Sequence, residues 1–173
     1  MVEMKTCTLC GETKSEAKFG RHRAMKDGLS YWCKECTRKR AKSYRETGNG
    51  IYTQIKARSK YYKRHKFNIS RDDFLTWYNS QPQVCHYCGL PKKHLKTFMQ
   101  KYGSRWFRLT IDCKDNEAGY IAGNLVLACD KCNSIKSNIL SYEDMKYIGE
   151  TFVKPKCMAF FGEPTTAKRN ESE

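Results

Sequence analysis

Eight of the ten cysteines fall into four C-x2-C pairs, Cys7/Cys10, Cys33/Cys36, Cys85/Cys88 and Cys129/Cys132. Two thiolates separated by two residues can grip one ion from a tight knuckle, and two such pairs complete a closed tetrahedral shell of sulfur. The spacing predicts two structural Zn2+ ions per chain, one on Cys7, Cys10, Cys33 and Cys36 and one on Cys85, Cys88, Cys129 and Cys132. A disulfide framework is the competing use. The opening MVEMKTC has no apolar run of signal-peptide type, which argues for a reducing, cytoplasmic setting and hence for metal. Cys113 and Cys157 have no such partner.

Composition points the same way. With 173 residues, of which 39% are hydrophobic, the chain cannot build a large continuous core. Structural zinc contributes on the order of 10 kcal/mol to the folding of small domains, so metal supplies part of the folding energy. No stretch approaches the roughly 20 apolar residues that span a bilayer, which excludes a transmembrane protein and a membrane partner.

Charge indicates the class of partner. There are 33 Lys and Arg against 18 Asp and Glu, a net charge of +15. Between Thr37 and Lys66 eleven Lys or Arg face a single acid, Glu46, with Tyr44, Tyr52, Tyr61 and Tyr62 interleaved. A solvated helix face mixes both signs, whereas a one-signed run with aromatics suits a polyanion, and nucleic acid is the expected one. Arg38, Arg40, Arg58, Lys60, Lys63 and Arg64 are the candidate contacts. Attachment to a membrane surface would need an opposing apolar face, which the run lacks.

The elements that position these groups can be read in outline. Residues 1–45 form an N-terminal zinc module, 46–69 a basic DNA-binding segment, 70–160 a second zinc-stabilised domain and 161–173 a disordered tail. Gly48-Asn49-Gly50 reads as a turn. Ser70 and Asp73 form a capping box opening a helix through Phe74, Leu75, Trp77 and Tyr78, which Pro82 ends. Trp106–Ile111 and Leu125–Ala128 read as strands, with a polar loop from Lys114 to Gly123 between them. Cys132–Ile139 reads as a short helix. A second capped helix starts at Ser141, with Met145, Ile148 and Phe152 on one face. The fold class is α+β, a small zinc-stabilised protein with flanking helices.

The order strand, loop, strand, helix carries Thr110-Ile111-Asp112-Cys113 on its first strand, Asn124 before its second and Cys132-Asn133 on its helix. This segment resembles the ββα-metal core of the HNH endonuclease family. The four-cysteine N-terminal module, the Phe74–Tyr78 helix, the Cys85-His86-Tyr87-Cys88-Gly89 knuckle and the Asn133–Ile139 segment are similar to restriction-type members of that family. The resemblance implies that Asp112 and Asn133 bind one catalytic Mg2+ or Mn2+ and that Asn124 fixes the loop by hydrogen bonds. One carboxylate and one amide oxygen suit a hard cation that keeps most of its waters.

The resemblance further implies a metal-dependent DNA endonuclease acting on double-stranded DNA, often as a homodimer, in a bacterial or phage-infected cytoplasm. Homing or nicking nucleases share the same core. The family places a histidine directly after the metal-binding aspartate, where this chain has Cys113. Tyr87 matches the position of a tyrosine with the initiating role in restriction-type members, and His65, His86 and His94 are other candidate bases. A cysteine at the base position also admits a catalytically silent, zinc-stabilised DNA-binding regulator.

Overall fold

The computed structural model describes residues 3–62, 66–101 and 108–162. They divide into two compact units, one ending at Ile51 and the other beginning at Tyr52. The tail expected over 161–173 lies outside the described residues except for Phe161 and Gly162, as do Trp106 and Phe107 of the expected first strand.

In the first unit β1 (Met4–Thr6) and β2 (Thr13–Ser15) pair antiparallel around the first cysteine knuckle. Gly11 closes that knuckle at φ +73°, a left-handed conformation that costs glycine little, and donates to Cys7 O at 2.9 Å. β3 (Phe19–Arg21) pairs antiparallel with β4 (Leu29–Cys33), which runs directly into α1 (Lys34–Arg45). Cys33 therefore ends a strand, while Cys36 lies in the first turn of a helix. The buried core here is Phe19 with Cys7, Cys33 and Cys36, against which half-buried Leu29 and Trp32 pack. One buried phenylalanine contributes about 1.5–3 kcal/mol, far less than a structural metal. A metal ion on the four sulfurs would therefore be the larger source of cohesion in this unit.

α2 (Gly48–Tyr62) begins at Gly48, so Gly48-Asn49-Gly50 is a helical turn and not the expected break. The chain bends one step earlier, at Glu46 and Thr47. There Thr47 Oγ1 accepts from Gly50 N–H at 3.1 Å, in the manner of a helix cap. Gly50 is required for space: a Cβ on it would lie 2.0 Å from the Tyr44 carbonyl oxygen.

In the second unit Tyr52, Ile55 and Ser59 form the buried stripe of α2, at helical spacing, while Lys56, Arg58 and Lys60 are exposed. The basic segment 46–69 is thus largely a helix with a packed face. β5 (Phe67–Asn68) and α3 (Arg71–Ser80) follow, the helix capped by Ser70, whose Oγ accepts from Asp73 N–H at 3.1 Å. Next come α4 (Leu95–Lys101), β6 (Leu109–Cys113), β7 (Tyr120–Ile121) and β8 (Leu125–Cys129). β7 lies inside the stretch read as a polar loop and pairs in parallel with β5.

β6 and β8 pair antiparallel from Leu109 opposite Cys129 to Cys113 opposite Leu125, and β8 is buried throughout. α5 (Asp130–Lys136) leaves β8 without a linker. It starts two residues before the expected helix and stops at Ser137, whose φ is +50°. α6 (Tyr142–Ile148) carries the complete Ser141/Asp144 capping box. A π-turn over Gly149–Val153 then leads into α7 (Lys154–Phe161). That turn offsets the helical register, so Met145 is fully buried whereas Phe152, expected on the same face, is 55% exposed.

Candidate active site and metal centres

Within each cysteine tetrad the four sulfur atoms lie within 4.8 Å of one another. A tetrahedron with metal–sulfur bonds of about 2.3 Å has edges of about 3.8 Å. The 3.9 Å separation of Cys88 and Cys129 Sγ is such an edge. All ten cysteines are free of disulfides. The two tetrads could each hold a structural metal ion. Backbone amides already point at the sulfurs, Cys33 N–H at Cys7 Sγ (3.3 Å) and Cys132 N–H at Cys129 Sγ (3.5 Å), which favours thiolate.

The second tetrad builds more than a metal centre. Its knuckle hangs on β8 through His86 N–H donating to Leu127 O at 2.7 Å, and Val126 of β8 lies opposite Asp112 of β6. The result is that Tyr87 Oη donates to Asp112 Oδ2 at 2.6 Å in a buried setting. From behind, Gly149 touches the knuckle so closely that a Cβ there would lie 2.4 Å from Tyr87 O.

α5 covers the other side. Thr110 and Asp112, two apart on β6, share a face, and Asn133 and Lys136 are one turn apart on α5. Asn133 Nδ2 donates to Thr110 Oγ1 at 3.1 Å, leaving the amide oxygen at the free end of the side chain. Lys136 Nζ lies 3.5 Å from Asp112 Oδ1 and donates to Cys113 O (2.8 Å) and Asn116 Oδ1 (3.0 Å). Asn124 ties the loop before β8 together. Its Nδ2 donates to the carbonyls of Asp115 (2.8 Å) and Gly119 (2.6 Å), and its Oδ1 accepts from Asp115 N–H (2.9 Å).

Burial pushes the Asp112 carboxyl up, while the Tyr87 hydrogen bond and the Lys136 charge pull it back. The Tyr87 phenol is held well above its ordinary range, first by burial and then by its bond to Asp112 and that residue's charge. In this arrangement Tyr87 is a neutral donor. Burial and the Asp112 charge push the Cys113 thiol up to about 12, so it is protonated at neutral pH. His86 is held below its usual value, chiefly by burial, and its Nε2 lies 2.7 Å from Tyr142 Oη. The Tyr142 ring is 6.2 Å from that of Tyr87.

The donor set around Asp112 and Asn133 fits a hard divalent cation. It offers one carboxylate and one directed amide oxygen, and leaves the remaining positions to water or phosphate. Asp112, Asn133 and Tyr87 come together around one strand, and Asn124 braces the loop beside it. His94 is elsewhere, packed on the Phe161 ring at 4.4 Å. His65, Lys63 and Arg64 lie outside the described residues. Arg38, Arg40, Arg58 and Lys60 are exposed, with the Arg40 guanidinium 4.5 Å from the Trp32 ring. Tyr52, read as one of the interleaved aromatics, is a core residue whose ring sits 5.5 Å from those of Phe67 and Phe74. Lys136 is the functional residue that sequence reasoning missed. Its spacing of three from Asn133 was the available signal.

A two-stranded hairpin feeding a helix, with an aspartate on the first strand and an asparagine on the helix, defines an HNH-like ββα-metal fold stabilised by two cysteine tetrads. Among solved structures the chain is similar to PacI, a rare-cutting HNH restriction endonuclease. The two are 26% identical with a TM-score of 0.55, over 93% of this chain and 100% of that one. This similarity supports a DNA nuclease. No protein-family model matches the chain, and comparison with curated proteins gives no significant match. Among the described residues no helix is long and apolar enough to cross a membrane.

Proposed function

We propose that this chain is a divalent-metal-dependent endonuclease that hydrolyses phosphodiester bonds in double-stranded DNA, of the sequence-specific restriction type. The observation that supports the proposal is the bond from Asn133 on α5 to Thr110 on β6, which brings the amide to the strand two residues from the buried carboxylate of Asp112. These two residues would hold Mg2+ or Mn2+. Such an ion neutralises the charge that develops on the scissile phosphate and the leaving oxygen.

The chain's own residues supply the rest. Asn124 keeps the loop after β6 in place, and Lys136 keeps Asp112 oriented with a compensating charge. Tyr87 Oη is the proton-transfer group in contact with Asp112. Burial first, and then the bond to Asp112 and that residue's charge, keep its phenol protonated, so easing the Asp112 charge removes one part of the cost of phenolate. We therefore assign Tyr87 to activating the attacking water, with His86 and Tyr142 adjoining it. The two cysteine tetrads are assigned to Zn2+, which tetrahedral thiolate coordination favours. Cutting both strands of a duplex asks two sites of a one-site chain, which a homodimer provides. Free thiols in both tetrads suit a reducing cytoplasm.

The test is incubation of the zinc-loaded protein with long duplex DNA and Mg2+, followed by sequencing of the ends. Recurring end sequences support the restriction reading, single-strand breaks a nicking or homing one. Intact DNA with retained binding would favour a second reading, a silent DNA-binding regulator. The observation behind that reading is Cys113, a protonated, buried thiol where the family places its histidine base.

A further inference from the structure

The first unit contains an open groove of about 1110 Å³ that no part of the catalytic account uses. Five cationic side chains line it, Lys14, Lys18, Arg21, Lys34 and Arg38, against a single acid, Glu35, among the described lining residues. Small residues, Ser15, Ala17, Gly20, Ser30 and Thr37, make up much of the rest of the lining. No Phe, Tyr or Trp lines it among the described residues, whereas pockets for small organic ligands are rich in aromatic side chains. An open groove with five cations around it suits an extended polyanion, whose phosphates take charge-assisted bonds from Lys and Arg and further bonds from hydroxyls.

Two of the five cations have work inside the fold. Lys14 pairs with Glu12 at 3.0 Å and Glu35 at 3.6 Å and lies 3.9 Å from Cys33 Sγ, offsetting the charge of the sulfur cluster. Lys34 Nζ donates to Ala17 O at 2.8 Å, bridging the groove's own walls. Lys18, Arg21 and Arg38 are exposed and form no ion pair among the described residues. Lys18 and Arg21 come from the β3 region, and Arg38 from the second turn of α1. They stand on separate elements around one concavity. Lys18 and Arg21 lie outside the basic run between Thr37 and Lys66, so the charge pattern along the chain does not reveal them.

We propose that this groove of the N-terminal zinc module grips the sugar-phosphate backbone of double-stranded DNA, with Lys18, Arg21 and Arg38 as its phosphate contacts. The inference rests on DNA being the ligand of the whole chain and adds where the first unit holds it. The site contributes affinity and register without sequence information, since phosphates look alike along any duplex.

The experiment uses the full, zinc-loaded chain carrying Lys18→Gln, Arg21→Gln and Arg38→Gln together. Binding to a fluorescent duplex is followed by anisotropy from 50 to 300 mM salt without Mg2+, so that cleavage plays no part. Each lost phosphate contact should lower the slope of log affinity against log salt by about 0.9, roughly 2.7 for the three. At about 0.1 M salt this corresponds to a loss of affinity of roughly 10² to 10³-fold, because each released counter-ion contributes a factor of about 8 there. A comparison variant, Lys92→Gln/Lys93→Gln/Lys96→Gln, removes the same charge from exposed positions in the second unit. An unchanged slope in a folded, fully metallated groove variant would overturn the proposal, and so would an equal loss in the comparison variant, which would make the effect one of net charge alone. A wild type that binds DNA but never cuts it defeats the nuclease reading and leaves the groove standing. Normal cutting with an unaltered salt slope defeats the groove alone.

Discussion

Replacing Lys136 with methionine should destabilise the second unit by about 3–5 kcal/mol. The Lys136 side chain is fully buried and its ammonium lies 3.5 Å from Asp112 Oδ1. At that separation and an effective dielectric near 20, the attraction is about 5 kcal/mol. Removing one member of a buried pair typically costs about 3–5 kcal/mol, because the remaining charge is left uncompensated. Methionine keeps an unbranched stem of similar length, so the loss reports charge more than cavity. Urea unfolding of the zinc-loaded variant, followed by circular dichroism, measures it. A double-mutant cycle with Asp112→Asn isolates the pair. The double variant strands no charge, so it should be at least about 2 kcal/mol more stable than the sum of the two single losses allows. A Lys136→Met cost below about 1 kcal/mol, or strict additivity in the cycle, would refute the reasoning, since Asp112 would then not depend on Lys136.

Three further outcomes follow from particular contacts. Chelation should release two metal equivalents per chain and expose the first unit to limited proteolysis before the second, because its buried core contains one phenylalanine beside the thiols. Retention of a protease-resistant first unit after complete metal loss would contradict this. Gly149→Ala places a Cβ 2.4 Å from Tyr87 O, so it should cost about 1–3 kcal/mol and lower cleavage by displacing Tyr87, readable in melting and rate together. Tyr87→Phe should lower the single-turnover cleavage rate by about 10² to 10⁴, whereas Cys113→Ser should keep most activity. The opposite pattern in stable, metallated variants would move the proton-transfer role to Cys113.

The parts of this fold that are legible in the sequence are those written locally. A knuckle needs two cysteines three positions apart, and the helix starts at Ser70 and Ser141 need a hydroxyl and an aspartate three residues on. Each signal fits inside one turn of chain. Lys136 illustrates the reverse. Within its helix it reads as a surface lysine, and only Asp112, from a strand 24 residues earlier, turns it into a buried cation. Tyr52 is hidden similarly. Dense basic residues mask the stripe of Tyr52, Ile55 and Ser59, which becomes a core face only when Phe67 and Phe74 pack on it.

β5 and β7 pair over two residues each, too short to impose an alternating pattern. The π-turn after Ile148 adds backbone offset without any compositional mark, which is why Phe152 points away from the face of Met145. Gly50 reads as part of a turn, yet both it and Gly149 sit in helical backbone where a neighbouring carbonyl leaves no room for a side chain. In the site itself, Asp112 and Asn133 were accessible through the family resemblance. The network of Thr110, Lys136 and Asn116 around them depends on how β6 and α5 pack.

The central claim is that Asp112 and Asn133 together hold the ion that cuts DNA. Asn133→Ala tests it most cleanly, since Asn133 is half-buried and bonds Thr110 without pairing any charge, whereas Asp112→Ala would strand Lys136. The decisive measurement is duplex cleavage by wild type and Asn133→Ala across a Mg2+ titration, with DNA affinity and metal content checked on the same samples. Wild type should cut in proportion to bound Mg2+, and Asn133→Ala should lose cleavage by about 10² or more while keeping its fold, its cysteine-bound metal and its grip on DNA. Cleavage by Asn133→Ala at the wild-type rate and the wild-type Mg2+ midpoint would contradict the account.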